Sequence, residues 1–368
     1  MATAIEQDFL PPSPRVREDV PRRRAWDETR PLSADARPPR MQADRCLPGT
    51  SIRLGPRLGG GGSGVIHRAI DRVTGRTLAV KLLREDRPDH ADGLRQEAEL
   101  LQHIDSPWVV RLHRSGTLPD GRPWLAMEML EGQPLSRWLA RRRRVELPRV
   151  IRWLRQACYG LAALHDAGWA HRDVKPSNFV LVDDPGAERL VLVDLGIAAR
   201  FGVRPQALSG TPEYIAPEQA QAKPVDLRSD VYALGCCAYE LLAGRPLVSE
   251  SGPLAKLNAH IEGVEPTWPD DEAVPYALRR LVERCLSRSP DARPPNTHVL
   301  EAELARVGRE LERRARPSLP TPRVTVCEVT TVVRAPLVAA NDEPAPARLS
   351  GRPRWLDRRW PPAGGARP

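Results

Sequence analysis

The chain has 368 residues, enough for one large domain or two of ordinary size with a core able to support a deep cleft. Its formal charge of +9 rests on 56 basic residues against 47 acids, and only four of the basic residues are lysines (Lys81, Lys175, Lys223, Lys256). Residues 313–368 hold eleven arginines and four acids and residues 1–50 are nearly balanced, so the middle carries about +1 and a basic globular face for nucleic acid is not expected.

The six cysteines (Cys46, Cys158, Cys236, Cys237, Cys285, Cys327) form no CxxC pair and no zinc-like spacing with histidine, so reduced, buried thiols are expected. The start, MATAIEQDFLPPSP, lacks the basic residues and apolar run of a secretory leader. No apolar stretch approaches the roughly 18–20 residues of a membrane span. A soluble, cytoplasmic chain with no membrane span is the expectation.

Residues 1–50 are rich in Pro and Arg and poor in apolar periodicity, a composition that predicts disorder. From Ile52 to Leu130, short β-branched runs (VIHRAID, TLAVKLL, PWLAMEML) alternate with Thr74-Gly75 and Asp120-Gly121, the turn chemistry of antiparallel hairpins. One helix interrupts them at 94–104, where Leu94, Ala98, Leu101 and either Leu100 or Ile104 fall at helical spacing. Beyond Gly132 the pattern turns helical. VIRWLRQACYGLAALHDAG (150–168) and DVYALGCCAYELLAG (230–244) both end at glycine, where a left-handed cap is easiest. The expected class is α+β and bilobal: a small antiparallel β lobe with one helix (51–130) and a larger, mainly helical lobe (131–311). Residues 312–368 form a basic Pro/Arg-rich tail, predicted to be largely disordered, with one β-prone run at 324–333.

Between the first two strand-like runs lies Leu58-Gly-Gly-Gly-Gly-Ser-Gly64. Gly59, Gly61 and Gly64 fit G-x-G-x-x-G, with Ile66 two positions on. Positions without side chains let backbone N–H groups approach phosphate oxygens. Taken alone, the run fits a flexible linker equally well. The adjoining Val65-Ile66-His67-Arg68-Ala69 reads as a returning strand rather than a helix, which favours a flap folded over phosphates. Downstream, Ala79-Val80-Lys81 sets Lys81 on one strand face with Ala79, where an ammonium on a flexible stem can reach phosphates. Glu97, on the 94–104 helix, is the carboxylate expected to hold it.

The residues from 171 onward carry most of the chemistry. Phe179-Val-Leu-Val182 and Leu190-Val-Leu-Val193 flank Asp183-Asp184-Pro185-Gly186 and read as a hairpin centred on Gly186. That centring places Asn178 and Asp194 together at the open end, an amide oxygen and a carboxylate for a hard cation bridged to phosphate. Asp173 can face the same mouth and accept the proton of a substrate hydroxyl.

The ordered motifs H-R-D-V-K-P-S-N (171–178), D-L-G (194–196) and A-P-E (216–218), with the glycine loop and Ala-Val-Lys, resemble the eukaryotic-type protein kinases of the bacterial Ser/Thr branch over residues 52 to about 311. The resemblance implies ATP and Mg²⁺ (or Mn²⁺) as cofactors, and serine or threonine hydroxyls of proteins as acceptors. It implies catalytic roles for Lys81, Glu97, Asp173 and Lys175, and metal ligands at Asn178 and Asp194. It further implies an adenine pocket of Leu58, Ile66, Ala79 and Val180, with Met127 at its back and Glu128 to Leu130 hydrogen-bonding the base. Thr211 would touch Asp173, Glu218 would pair with Arg293, and Asp230 would anchor the catalytic loop; His171 is expected to be structural, and Leu195 keeps an apolar residue beside the metal-binding aspartate. Arg172 resembles the arginine that binds a phosphorylated activation segment, yet between Asp194 and Thr211 the only other hydroxyl is Ser209. The enzyme is therefore expected to be constitutively competent or to rely on Ser209. The competing readings are a scaffold of the same fold without phosphoryl transfer, and a tail whose RPRWLDRRWPP (352–362) binds an acidic partner, membrane surface or nucleic acid. Substrate, stimulus and oligomeric state stay open.

Overall fold

A computed structural model describes residues 46–61, 64–141, 145–184, 187–203, 209–268 and 274–315. The expected disordered stretch up to residue 45, and the tail from 316 with its β-prone run and Cys327, lie outside the described residues.

Strands β1 (Ile52–Gly60), β2 (Gly64–Asp71) and β3 (Thr77–Leu83), helix α1 (Ala91–His103) and strands β4 (Leu112–Thr117) and β5 (Pro123–Glu128) make the first lobe. The strands form one sheet in the order β1-β2-β3-β5-β4, antiparallel throughout. Period-two alternation gives the sheet two apolar faces. Leu78, Val80, Trp124 and Ala126 pack with Leu47, Ile52 and Ala69 on one side. Leu83, Leu125 and Met127 join the main core on the other, where α1 inserts Leu94, Ala98, Leu100 and Leu101. The helix begins three residues earlier than its apolar periodicity predicts, because Ala91 to Gly93 carry no large apolar side chain to mark its first turn.

The second lobe runs through β6 (Gly132–Pro134), α2 (Leu135–Arg141), α3 (Leu147–Asp166), β7 (Trp169–Ala170), β8 (Phe179–Asp184), β9 (Ala187–Leu192), β10 (Ala199–Arg200), α4 (Pro217–Ala220), α5 (Leu227–Ala243), α6 (Pro253–Glu262), α7 (Tyr276–Cys285) and α8 (Thr297–Ala315). Helix α5 is buried on nearly every side, from Ser229 to Leu242, and is the post around which this lobe is built. Asp226 caps its start by accepting the Arg228 N–H, and Gly244 ends it in the left-handed conformation at φ 71°. Helix α3 ends at Asp166, with the left-handed glycine two residues later at Gly168. Trp138 of α2 meets Trp153 of α3 edge to face at 5.0 Å, and the Arg149 guanidinium lies over both rings. Helix α8 runs four residues past the expected limit at 311. Its last turn is exposed and held by ion pairs of Arg313 and Arg314 with Glu310, a type of support that apolar periodicity does not reveal.

A small sheet β6-β8-β9 and the pair β10-β7 carry the loops that hold Asp173, Asn178 and Asp194. The lobes are stitched at β9: the Val110 N–H donates to the Leu192 carbonyl (2.9 Å) and the Leu192 N–H to the Trp108 carbonyl (2.8 Å). Four cysteines (Cys158, Cys236, Cys237, Cys285) are buried and free, Cys46 is half-buried and free, and burial pushes the Cys285 thiol up to about 12, so these core thiols stay protonated. Among the described residues no helix is long and apolar enough to cross a membrane.

Candidate active site

Register in the first sheet sets the roof of the cleft. Gly59 lies opposite Ile66, Ile66 opposite Lys81, and Ala79 opposite Met127, so these residues share the inward face with Lys81. The glycines of the loop have different jobs. A Cβ on Gly64 would sit 2.9 Å from the Leu82 carbonyl oxygen and 3.2 Å from Lys81 Cγ, so β2 can run beside β3 only without a side chain there. Around Gly59 and Gly61 a Cβ would meet nothing within 4 Å, leaving their backbone open. Leu58 is about half exposed at the same edge. Glu128 closes β5, its N–H donating to the Arg111 carbonyl and its carboxylate accepting the Arg111 N–H (both 2.9 Å), which fixes the segment leading to Leu130. Val180 is half-buried on β8, opposite Pro134 of β6.

Lys81 is 4 % exposed and its Nζ donates to two carboxylates at 2.7 Å each: Glu97 of α1, itself 1 % exposed, and Asp194. Burial works against the ammonium, but the two carboxylates outweigh it and hold its pKa above the ordinary lysine range. For Glu97 burial wins and pushes its carboxyl up, with Lys81 offsetting only part. Asp194 is likewise opposed by burial, yet the Lys81 charge and hydrogen bond bring it below its usual value. Glu97 does a second task by accepting the Leu195 N–H at 3.1 Å, so the helix carboxylate holds both the strand lysine and the start of D-L-G.

The hairpin differs from its expected register by one residue. Pairing runs from Phe179 opposite Leu192 to Asp184 opposite Ala187, so Asn178 faces Val193, whose N–H donates to the Asn178 carbonyl at 2.8 Å. Asp194 lies one residue beyond. Its left-handed backbone (φ 64°) takes it out of the strand direction, and its carboxylate meets Lys81. The sequence offers no glycine at this turn to signal it.

The catalytic loop hangs from one buried side chain. Asp230 of α5, fully buried, accepts the N–H groups of His171 (2.7 Å) and Arg172 (2.8 Å) and a bond from His165 Nε2 (2.9 Å). Burial would raise its pKa, but these partners lower it. His171 is fully buried and burial depresses its pKa, which suits a neutral, structural ring whose Nδ1 accepts the Asp173 N–H. At the mouth three groups close a triangle: Lys175 Nζ donates to Asp173 (2.6 Å) and to the Thr211 hydroxyl (2.8 Å), and that hydroxyl donates to the other Asp173 oxygen (2.7 Å). Asn178 Nδ2 donates to the Asp173 carbonyl at 2.9 Å, and among the described residues its amide oxygen has no partner. That oxygen and the Asp194 carboxylate, whose side chain is 46 % exposed, are hard donors of the kind a divalent cation bridging phosphates takes.

Below the mouth, Arg293 clamps Glu218 with two bonds (2.7 and 2.8 Å), and the Ser229 hydroxyl donates to the same carboxylate (2.6 Å). Arg172 donates to the Ser209 hydroxyl at 2.5 Å. Three contacts at this level carried no signal in the spacing: Lys256 of α6 paired with Glu213, the Tyr214 hydroxyl donating to Glu240 (2.6 Å), and the Gln219 amide bonded to two carbonyls. Each partner is distant in sequence, so only the fold reveals them. Residues 204–208 of the segment before Ser209 lie outside the described residues.

A lysine roof, an aspartate-bearing loop and an amide–carboxylate pair across one cleft are the parts of a phosphoryl-transfer site. Residues 52–304 match the family model of the protein kinase domain, and the chain belongs to that family. Its relatives are bacterial serine/threonine-protein kinases. Pkn1 of Myxococcus xanthus is 34 % identical over 318 residues, covering 82 % of this chain and 44 % of Pkn1. PknA of Corynebacterium glutamicum is 30 % identical over 325 residues (83 % of this chain, 68 % of the relative), and PknA of Mycobacterium tuberculosis 32 % identical over 329 (86 % and 73 %). The chain thus spans less than half the length of Pkn1. Family membership carries with it the use of ATP and a divalent cation.

Proposed function

We propose that the chain is a protein serine/threonine kinase moving the γ-phosphoryl of Mg²⁺-bound ATP to hydroxyls of other proteins, competent without phosphorylation of its activation segment. The observation that carries this reading is the Asp173–Lys175–Thr211 triangle, closed by hydrogen bonds among these three side chains beside Asn178 and Asp194. Asp173 orients the incoming hydroxyl and takes its proton as oxygen bonds to the γ-phosphorus and the bond to the bridging oxygen breaks, releasing ADP. Lys175 stands where it can meet charge on the transferred group, and Lys81, steadied by Glu97, where it can meet the other phosphates. Leu58, Ile66, Ala79, Met127 and Val180 would enclose adenine, with the backbone from Glu128 to Leu130 bonding the base. Asn178 and Asp194 would hold Mg²⁺, which supplies charge neutralisation on the phosphates. The catalytic domain is proposed to occupy residues 51–311. The scaffold reading gains no support, since Lys81, Asp173 and Asp194 are all present and engaged.

The test is transfer from Mg²⁺-ATP to a generic serine/threonine acceptor by the full chain and by Asp173→Asn. We expect wild-type transfer and a fall of about a thousandfold in the variant, with ATP affinity retained. A wild-type chain that binds ATP and phosphorylates nothing would sink the reading.

A further inference from the structure

Arg172, the residue before Asp173, holds a left-handed backbone at φ 69°, a conformation a non-glycine residue keeps only when its surroundings impose it. Both faces of its peptide are gripped. Its N–H donates to Asp230, and its carbonyl accepts from Gln219 Nε2 at 2.7 Å. The same nitrogen donates to the Ser209 carbonyl at 2.6 Å, and Gln219 is only 2 % exposed. The amide therefore ties the catalytic loop to the stretch of chain that continues through Gly210 to Thr211. Gly210 bears the imprint of this tie: at φ 122°, a Cβ there would lie 2.8 Å from Gln219 Nε2 and 3.1 Å from the Arg172 carbonyl oxygen. Gln219 itself stands on α4, beside Glu218, which Arg293 and Ser229 lock to the helical lobe.

We infer that Gln219 is a positioning residue for phosphoryl transfer: by bridging two backbone carbonyls it sets the distance between Asp173 and Thr211, the two groups that flank the acceptor hydroxyl. The inference rests on the kinase reading and assigns within it what holds the acceptor side in register. Among the described residues Gln219 Nε2 bonds the Arg172 and Ser209 carbonyls and not Lys81, Asn178 or Asp194, so its effect belongs to turnover with protein acceptor and not to ATP binding. Replacing its two donors by an isosteric apolar chain leaves two half-buried carbonyls without these partners and frees the loop and shelf to drift apart.

Full-length wild type, Gln219→Met and Gln219→Glu are compared by steady-state transfer to casein, by affinity for a non-hydrolysable ATP analogue and by thermal denaturation. Gln219→Met is expected to lose about tenfold to a hundredfold in kcat while analogue affinity stays within about twofold. In Gln219→Glu the carboxyl can donate one bond only when protonated, so its activity relative to wild type should rise from about pH 8 to about pH 6. A Gln219→Met enzyme that turns over like wild type, or whose loss is matched by a loss of nucleotide affinity, overturns the inference. If that variant does not fold, a flat pH ratio for Gln219→Glu does the same. Wild type that binds the analogue but transfers nothing removes the kinase reading and this inference together.

Discussion

Lys81 above the cleft and Asp173 below it are both held by two partners, but the restraints differ in kind. The lysine is fixed by charge, between two carboxylates from α1 and the D-L-G turn, nearly all of it out of water. Asp173 is paired with Lys175 and Thr211 at the surface of the site, but its loop is set by backbone bonds, hung from Asp230 with one left-handed residue beside it. A charge cluster of this sort is most sensitive to loss of Lys81, which leaves the buried Glu97 carboxylate without its cation. A loop held by its backbone groups depends on remote side chains, here Asp230 and Gln219.

The contrast is sharpest if each anchor is removed in turn. Lys81→Met should lower kcat/KM at least a hundredfold and raise the KM for ATP, while Asp230→Ala should lower kcat to a similar extent with ATP affinity nearly intact; an Asp230→Ala chain that stays folded and fully active would erase the distinction. Next in size is the clamp below the shelf. Arg293→Met leaves Glu218 buried without its partner and should cost about 3–5 kcal/mol in urea denaturation, and a loss under about 1 kcal/mol would show that the pair bears little weight.

A smaller effect separates the histidines from the carboxylates. Burial depresses the pKa of His260, opposed by Glu213, Glu250 and the Pro212 and Glu213 backbone, and its ring nitrogen meets the Tyr232 hydroxyl at 2.7 Å. A depressed folded pKa means stability that is complete above the ordinary histidine value of 6.5 and is lost as pH falls through it. The wild-type Tm should therefore drop by a few °C between about pH 7.5 and 5.5, and His260→Gln should flatten that slope. Equal slopes would move the pH dependence elsewhere. The least effect is expected at Ser209. Its hydroxyl already meets Arg172 unmodified, so Ser209→Ala with Thr211 intact should keep activity within about twofold, and a deep loss would mean that the segment needs that hydroxyl.

Much of the site can be read from local order in the chain. Lys81 on a strand, Glu97 on a helix and Asp173, Asn178 and Asp194 around a hairpin follow from periodicity and turn residues, because those signals act over a few neighbours. Legibility ends where one side chain answers to a distant one. The hairpin register slipped by a residue, since alternation alone does not fix which pair closes the turn, and Asp194 needed a left-handed turn that no glycine announces. Resemblance supplied Asp230 and the Glu218–Arg293 pair, but not why they matter: a buried acid is tolerable only when its partners arrive from elsewhere in the fold.

Taken by itself, the amino-acid order determined the two-lobed class, the use of ATP with a divalent cation and nearly every group proposed to face the phosphates, because these depend on residue type and short spacing. The tertiary structure alone decided how those groups are restrained: one ammonium between two carboxylates, a loop hung from α5, and Gln219 spanning two carbonyls 47 and 10 residues away. Such bonds are selected by the whole fold, because only the packed cores of both lobes bring donor and acceptor within reach.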